Sequence, residues 1–191
     1  DYKSELFPPE LPEERLERAY VAIMKPLIEM GGSVLAGQAV RELALLDRKF
    51  EDSVYIAIAR LNIDSSQYSA AEDALNKAEQ FALDPDPYST QRRELWAQLR
   101  EQEGNYSEAI RYHKEIISSD PMHAESLRKI AELSAQVGEW NEAIVWMMRY
   151  IETSPNPLDF YWALLGEYLV ADKRYDDGLA ALESALAIEP Y

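Results

Sequence analysis

An all-α chain of stacked antiparallel helix pairs is what this sequence predicts, and three periodicities carry that reading. An aromatic residue followed three positions later by a small one occurs four times: Tyr68 with Ala71, Tyr106 with Ala109, Trp140 with Ala143, and Tyr175 with Gly178. The intervals between the aromatics are 38, 34 and 35 residues. Twelve residues before each of those small residues stands another: Ala59, Ala97, Ala131 and Gly166. Pro85, Pro121, Pro155 and Pro190 then close the units at intervals of 36, 34 and 35. A period near 34 residues marks a helical repeat, in which a unit buries its apolar face only against its neighbours.

From the N-terminus, residues 1–12 carry Pro8, Pro9 and Pro12 and read as an irregular lead-in. Residues 13–50 predict a helix pair. Leu16, Tyr20, Ile23 and Leu27 form the first stripe, with Pro26 as a kink or break. Gly31-Gly32 turn the chain, and Val40, Leu43 and Leu46 mark the second helix. This pair is either a degenerate repeat, the favoured reading, or an N-terminal cap.

Four repeat units follow, at 52–87, 88–121, 122–156 and 157–191. Their first helices show apolar spacing such as Leu127, Ile130, Leu133 or Trp162, Leu165, Leu169. Paired small residues let consecutive helices approach closely. The intra-unit turns are short and polar, and Gly104 and Gly138 suit the left-handed helix-ending conformation. Asn105 followed by Glu108 predicts a capping box. Each proline lacks the donor that would continue a helix.

These residues resemble the tetratricopeptide repeat family over about residues 52–190. The first helices carry a large residue and then a large-small pair, as in Tyr55 with Ile58-Ala59, Leu127 with Ile130-Ala131 and Trp162 with Leu165-Gly166. The second helices carry the aromatic, a small, a large and a late small residue, as in Tyr68, Ala71, Leu75 and Ala78. The resemblance implies a right-handed superhelical solenoid. Departures from it are Arg93 at the first large site of the second unit, and Ile116 and Tyr150 at late small sites, where wider junctions are expected. Two extra residues before Pro85 predict a longer second helix in the first unit.

Family likeness further implies that first helices line a concave groove. The corresponding positions are Ser53, Ile56, Arg60 and Asp64; Gln91, Glu94, Gln98 and Glu101; Glu125, Arg128, Glu132 and Gln136; and Phe160, Ala163, Glu167 and Val170. That set is acidic and amide-rich with one apolar end, and it fits an extended or helical peptide of neutral to basic character. A bland alternative is a solvated helix face. The two-carboxylate clamp of chaperone-binding relatives does not fit, because Ile56, Arg60, Leu95, Glu125 and Lys129 stand at its places.

At the C-terminal end, the face carrying Leu179, Leu182, Leu186 and Ile188 has no capping helix after it within the sequence, which stops at Pro190-Tyr191. The expectation is a fragment of a longer chain, self-association through that face, or both.

Composition narrows the function classes. Net charge is −16, from 35 acids against 19 bases, a field that repels nucleic-acid phosphates and anionic membranes. Cysteine is absent, so thiolate and disulfide chemistry is unavailable. No run of 18 apolar residues provides a membrane span. Bacterial cytoplasm and periplasm or envelope stay open as compartments.

His113 and His123, ten apart, make a poor metal set, and His113 takes the core slot filled elsewhere by Leu75, Met147 and Leu182. Its other reading is a pH-sensitive joint. In Trp146-Met147-Met148, Met147 fills the packing slot, leaving Trp146 or Met148 for the outer side. No catalytic ordering, phosphate loop or zinc spacing is present, and no cofactor is expected. The sequence thus predicts a non-catalytic protein-interaction adaptor of a bacterial assembly or secretion scaffold. Its rivals are the recruiting domain of a larger enzyme and a peptide-responsive regulatory sensor.

Overall fold

The computed structural model describes residues 51–82, 86, 89–153 and 159–188. The expected lead-in and the helix pair at 13–50 lie outside them, as do Pro85, Pro155 and Pro190. All described elements are α-helices: α1 Glu51–Asp64, α2 Tyr68–Gln80, α3 Ser89–Gln102, α4 Tyr106–Ser119, α5 Ala124–Gln136, α6 Trp140–Thr153, α7 Asp159–Ala171 and α8 Tyr175–Ile188. Contacts divide the chain into two compact units, Asp1–Leu95 and Trp96–Tyr191, and the division falls within α3. Among the described residues no helix is long and apolar enough to cross a membrane.

Each of the four repeated aromatics is the first residue of its helix, α2, α4, α6 or α8. The turns before them share one geometry. In each, a left-handed residue donates its N–H three residues back, and the next residue donates five back. The bonds are Ser66 to Ile63 and Gln67 to Asn62; Gly104 to Glu101 and Asn105 to Arg100; Gly138 to Ala135 and Glu139 to Ser134; and Lys173 to Val170 and Arg174 to Leu169. This double bond satisfies carbonyls that a helix end leaves open. Gly104 and Gly138 hold it as expected, at φ +78° and +81°. Ser66 and Lys173 adopt the same left-handed conformation at φ +57° and +65°, where side chains are strained.

That turn also overturns the expected capping box. Asn105 is the residue whose N–H closes the preceding turn, which sets it at φ −88°, ψ 64° instead of the extended N-cap conformation. Its side chain caps no backbone N–H, and its amide donates to the Glu108 carboxylate at 3.3 Å. The expected long helix in the first unit is corrected too. α2 has 13 residues and ends at Gln80, and the ring of Phe81, the residue after it, stacks on Tyr55 at 5.7 Å.

In the first unit α1 packs against α2, burying Ile56, Ala59, Ile63, Ala71, Leu75 and Ala78. A buried ion pair also crosses this unit, with Arg92 of α3 donating to Asp52 of α1 at 2.7 Å. Asp86 is a further partner of Arg92. Burial raises the Asp52 pKa, with the adjacent guanidinium working against that rise.

Within the second unit one apolar cluster joins Ile110 and Ile117 of α4 to Leu127, Ile130 and Leu133 of α5. A second joins Ile144, Met147 and Ile151 of α6 to Leu165, Tyr168 and Leu169 of α7. Small residues allow a close helix approach at Gly166 and Gly178. A Cβ on Gly166 would come 2.8 Å from the Leu182 side chain, and one on Gly178 would come 2.9 Å from Val170. Met147 is enclosed and Met148 exposed, while Trp146 is half-buried with its indole N–H donated to Glu142.

Candidate functional site

The first helices of the second unit, α5 and α7, carry half of the expected groove positions. On α5 the 3.6-residue period brings Glu125, Arg128, Glu132 and Gln136 onto one side. Arg128 holds Glu125 through two bonds, at 2.6 and 3.2 Å, and reaches Glu132 with its remaining terminal nitrogen. Burial works against the Arg128 charge, but its two carboxylates outweigh burial and raise its pKa. Lys129, absent from the expected site, bridges to both oxygens of Glu101 on α3 at 2.8 and 2.9 Å. Three expected groove acids are thereby engaged by two bases, leaving one negative charge among those five groups. Glu167 on α7 is exposed.

The apolar end is richer than the expected residues imply. Phe160 and Val170 are exposed on α7 and Ala163 is half-buried. Phe160 meets Tyr161 edge-on at 5.5 Å, and Tyr161 meets Tyr150 of α6 edge-on at 4.8 Å. These centroid distances and near-perpendicular rings suit the aromatic quadrupole. Burial and the hydrogen bond with Tyr161 push the Tyr150 pKa up to about 12. Tyr168 is likewise pushed up to about 12 by burial, with Glu132 and Glu167 adding to it. Sequence reasoning missed Tyr150 and Tyr161 as site residues. Its available signal was the oversized Tyr150 at a site where a small residue is usual.

Elsewhere the expected positions divide. Gln98 is half-buried on the second-unit part of α3. In the first unit Arg60 and Asp64 are exposed, and Gln91 and Glu94 are half-buried. Ile56, expected on the groove, is only 2% exposed and belongs to the core between α1 and α2. An isoleucine there gains more from burial than a groove wall offers. The Ser53 side chain lies outside the described residues.

His113 is buried at the core slot, and its Nδ1 lies 3.1 Å from the Ser126 hydroxyl. His123, at the N-cap of α5, accepts from the Ser126 backbone N–H and has Nδ1 2.9 Å from the same hydroxyl. With His123 Nδ1 as acceptor, the Ser126 hydroxyl donates to it and accepts from a neutral His113. Burial, then Lys129, lowers the His113 pKa to about 4.

No protein-family model matches the chain. The TPR repeat protein oca3 of Schizosaccharomyces pombe is 23% identical over 97 residues, which cover 51% of this chain and 34% of that protein. The match thus spans about a third of that relative's length. Among solved structures, a MamA protein superposes with TM-score 0.69 at 16% identity, covering 91% of both chains. MamA from Desulfovibrio magneticus RS-1, from residue 41 to its end, gives 0.67 at 13% identity over 91% of this chain and 94% of that one. YrrB, described as a TPR protein with an unusual peptide-binding site, gives 0.66 at 15% identity over 90% and 85%. At such identities these structures show a shared fold.

Proposed function

We propose that this chain, which shares the fold of tetratricopeptide repeat proteins, is a non-catalytic interaction scaffold. It binds a neutral to basic peptide segment of a partner protein along α5 and α7, within a bacterial multiprotein assembly or secretion complex. The observation that carries this reading is the exposed face of α7, where Phe160 and Val170 flank Glu167. An apolar anchor next to an acid suits a peptide that pairs an apolar side chain with a lysine or arginine. The chain's net charge of −16 speeds the approach of a basic segment. Support also comes from YrrB, a protein of the same fold described as having a peptide-binding site. The bacterial setting draws on the solved neighbour from Desulfovibrio magneticus.

A phage-displayed peptide library selected against the full chain tests the reading, followed by fluorescence anisotropy on enriched peptides. Expected are sequences with paired apolar and basic residues, each losing about tenfold in affinity on Phe160→Ala or Glu167→Lys with helical content unchanged. No enrichment, or peptides indifferent to both substitutions, overturns it.

A further inference from the structure

The hydroxyl of Ser126 carries one proton and is shared by two imidazoles. Ser126 is fully buried in the first turn of α5, with its Oγ 2.9 Å from His123 Nδ1 and 3.1 Å from His113 Nδ1. His123 Nδ1 also accepts the Ser126 backbone N–H at 3.3 Å, which makes His123 the N-cap of α5. A ring nitrogen that accepts bears no proton, so the chain of bonds runs one way. His113 donates from Nδ1 to Ser126 Oγ, and the Ser126 hydroxyl donates to His123. A proton on His123 Nδ1 turns that nitrogen into a donor, which can hold neither the Ser126 N–H nor its hydroxyl. With both imidazoles donating to it, the hydroxyl proton would be left buried and unpaired, an arrangement that folded proteins avoid. Turning the hydroxyl toward His113 Nδ1 restores a bond, provided that His113 then carries its own proton on Nε2.

We propose that His123, Ser126 and His113 form an acid-responsive relay, in which protonation of His123 opens the N-cap of α5, reverses the Ser126 hydroxyl and switches buried His113 from its Nδ1–H to its Nε2–H tautomer. Protons balance: His123 gains one from solvent, while His113 releases one from Nδ1, binds one at Nε2 and keeps its charge. Histidine is the side chain that changes charge between about pH 8 and 5. Across that window His113 stays neutral, because burial, then Lys129, lowers its pKa to about 4. The charges around the pair come from every element packed there. Glu125, Arg128 and Lys129 of α5 act on His113, and Glu101 of α3 holds Lys129. In the turn before α5 the Asp120 carbonyl accepts the His123 N–H at 3.2 Å. From α6, Arg149 donates to the Pro121 carbonyl at 3.0 Å, and Glu142 holds Lys114 beside His113. Glu125 stands in the turn that the cap closes, so acid loosens the start of the helix that carries Arg128 and Glu132. The relay rests on this side-chain geometry and holds independently of peptide binding along α5 and α7.

The test records two-bond proton–nitrogen spectra of the imidazoles in the full chain, titrated from about pH 8 to 5. The chain has 2 histidines, so a single substitution assigns both rings. At the alkaline end His123 Nδ1 should read as unprotonated and His113 as the Nδ1–H tautomer. As His123 gains its proton, His113 should stay neutral and pass to the Nε2–H tautomer with the same midpoint. Over the same range the Ser126 amide should lose about fivefold in hydrogen-exchange protection, the equivalent of one lost cap. His123→Asn supplies a side-chain oxygen that caps without titrating, and should hold both the His113 tautomer and the Ser126 protection constant. Ser126→Ala removes the hydroxyl, so His123 should still titrate while the His113 tautomer ignores it. A His123 Nδ1 that is protonated at the alkaline end overturns the proposal, as does a wild-type His113 tautomer that never changes. A tautomer change that persists in His123→Asn or in Ser126→Ala also overturns it, because the trigger would then lie outside the relay.

Discussion

Met147 in α6 and Leu182 in α8 hold the same place in successive repeats, eight residues into the second helix, with opposite surroundings. Met147 is fully enclosed, while Leu182 is 36% exposed and its neighbours Leu179 and Leu186 more so. Both helices carry the same apolar triplet, so the difference does not arise within a repeat. It arises at the junction, where α7 covers α6. Stability in such a fold is a sum of repeat and nearest-neighbour terms, and an apolar triplet contributes only where a neighbour meets it. The pairs differ inside as well. Ala131 and Ala143 are fully buried in the third repeat, whereas Gly166 and Gly178 replace them in the fourth and leave no room for a Cβ.

The sharpest way to break this comparison is to truncate both members. Met147→Ala should cost about 2–5 kcal/mol, because an enclosed site keeps part of the cavity. Leu182→Ala should cost less, about 1–2 kcal/mol, since solvent already reaches part of the side chain although it rests on Gly166. Equal losses in urea titrations would show that Leu182 is covered after all.

His113 adds a pH dimension at the same register. Its pKa falls from 6.5 to about 4 in the folded state, so between those values the unfolded chain binds more protons. Stability contributed by neutral His113 is therefore present above about pH 6.5 and lost as pH falls toward about 4. The linked loss is about 3 kcal/mol. Urea midpoints across that window should show the decline in wild type, and a flatter profile in His113→Leu. Parallel profiles would place the acid sensitivity elsewhere.

The smallest effect separates the turns. Lys173 holds at φ +65° the conformation that Gly138 holds at +81°. Lys173→Gly should gain about 1 kcal/mol by removing left-handed strain, and Gly138→Ala should lose a similar amount. Thermal melts check the pair. A loss on Lys173→Gly would mean that the lysine side chain supports the turn.

Much of the fold was legible because it is local. Tyr68, Tyr106, Trp140 and Tyr175 marked the starts of four helices, and Gly104 and Gly138 marked two helix ends. The turns at Ser66 and Lys173 were expected too, but not their left-handed conformation, since those residue types do not announce a positive φ. The Asp52–Arg92 pair, 40 residues apart, left no periodic trace. The candidate site was legible by position but not by charge state. Glu101, Glu125 and Glu132 read as a free acidic face, yet Lys129 and Arg128 engage all three. Tyr150 was visible only as an oversized residue, while its ring contact with Tyr161 depends on how α6 meets α7.

By itself the sequence determined the helices, their pairing, and the small residues that let partners approach. Those follow from a 3.6-residue period and from turn chemistry, both contained within a single repeat. Only the tertiary structure decided which carboxylates find a base and how deeply each apolar residue is enclosed. Lys129 meets Glu101 from 28 residues away, and Met147 is enclosed by a helix beyond its own repeat. Burial and ion pairing depend on the groups that arrive from elsewhere in the chain, so identical local patterns on α6 and α8 end in different environments.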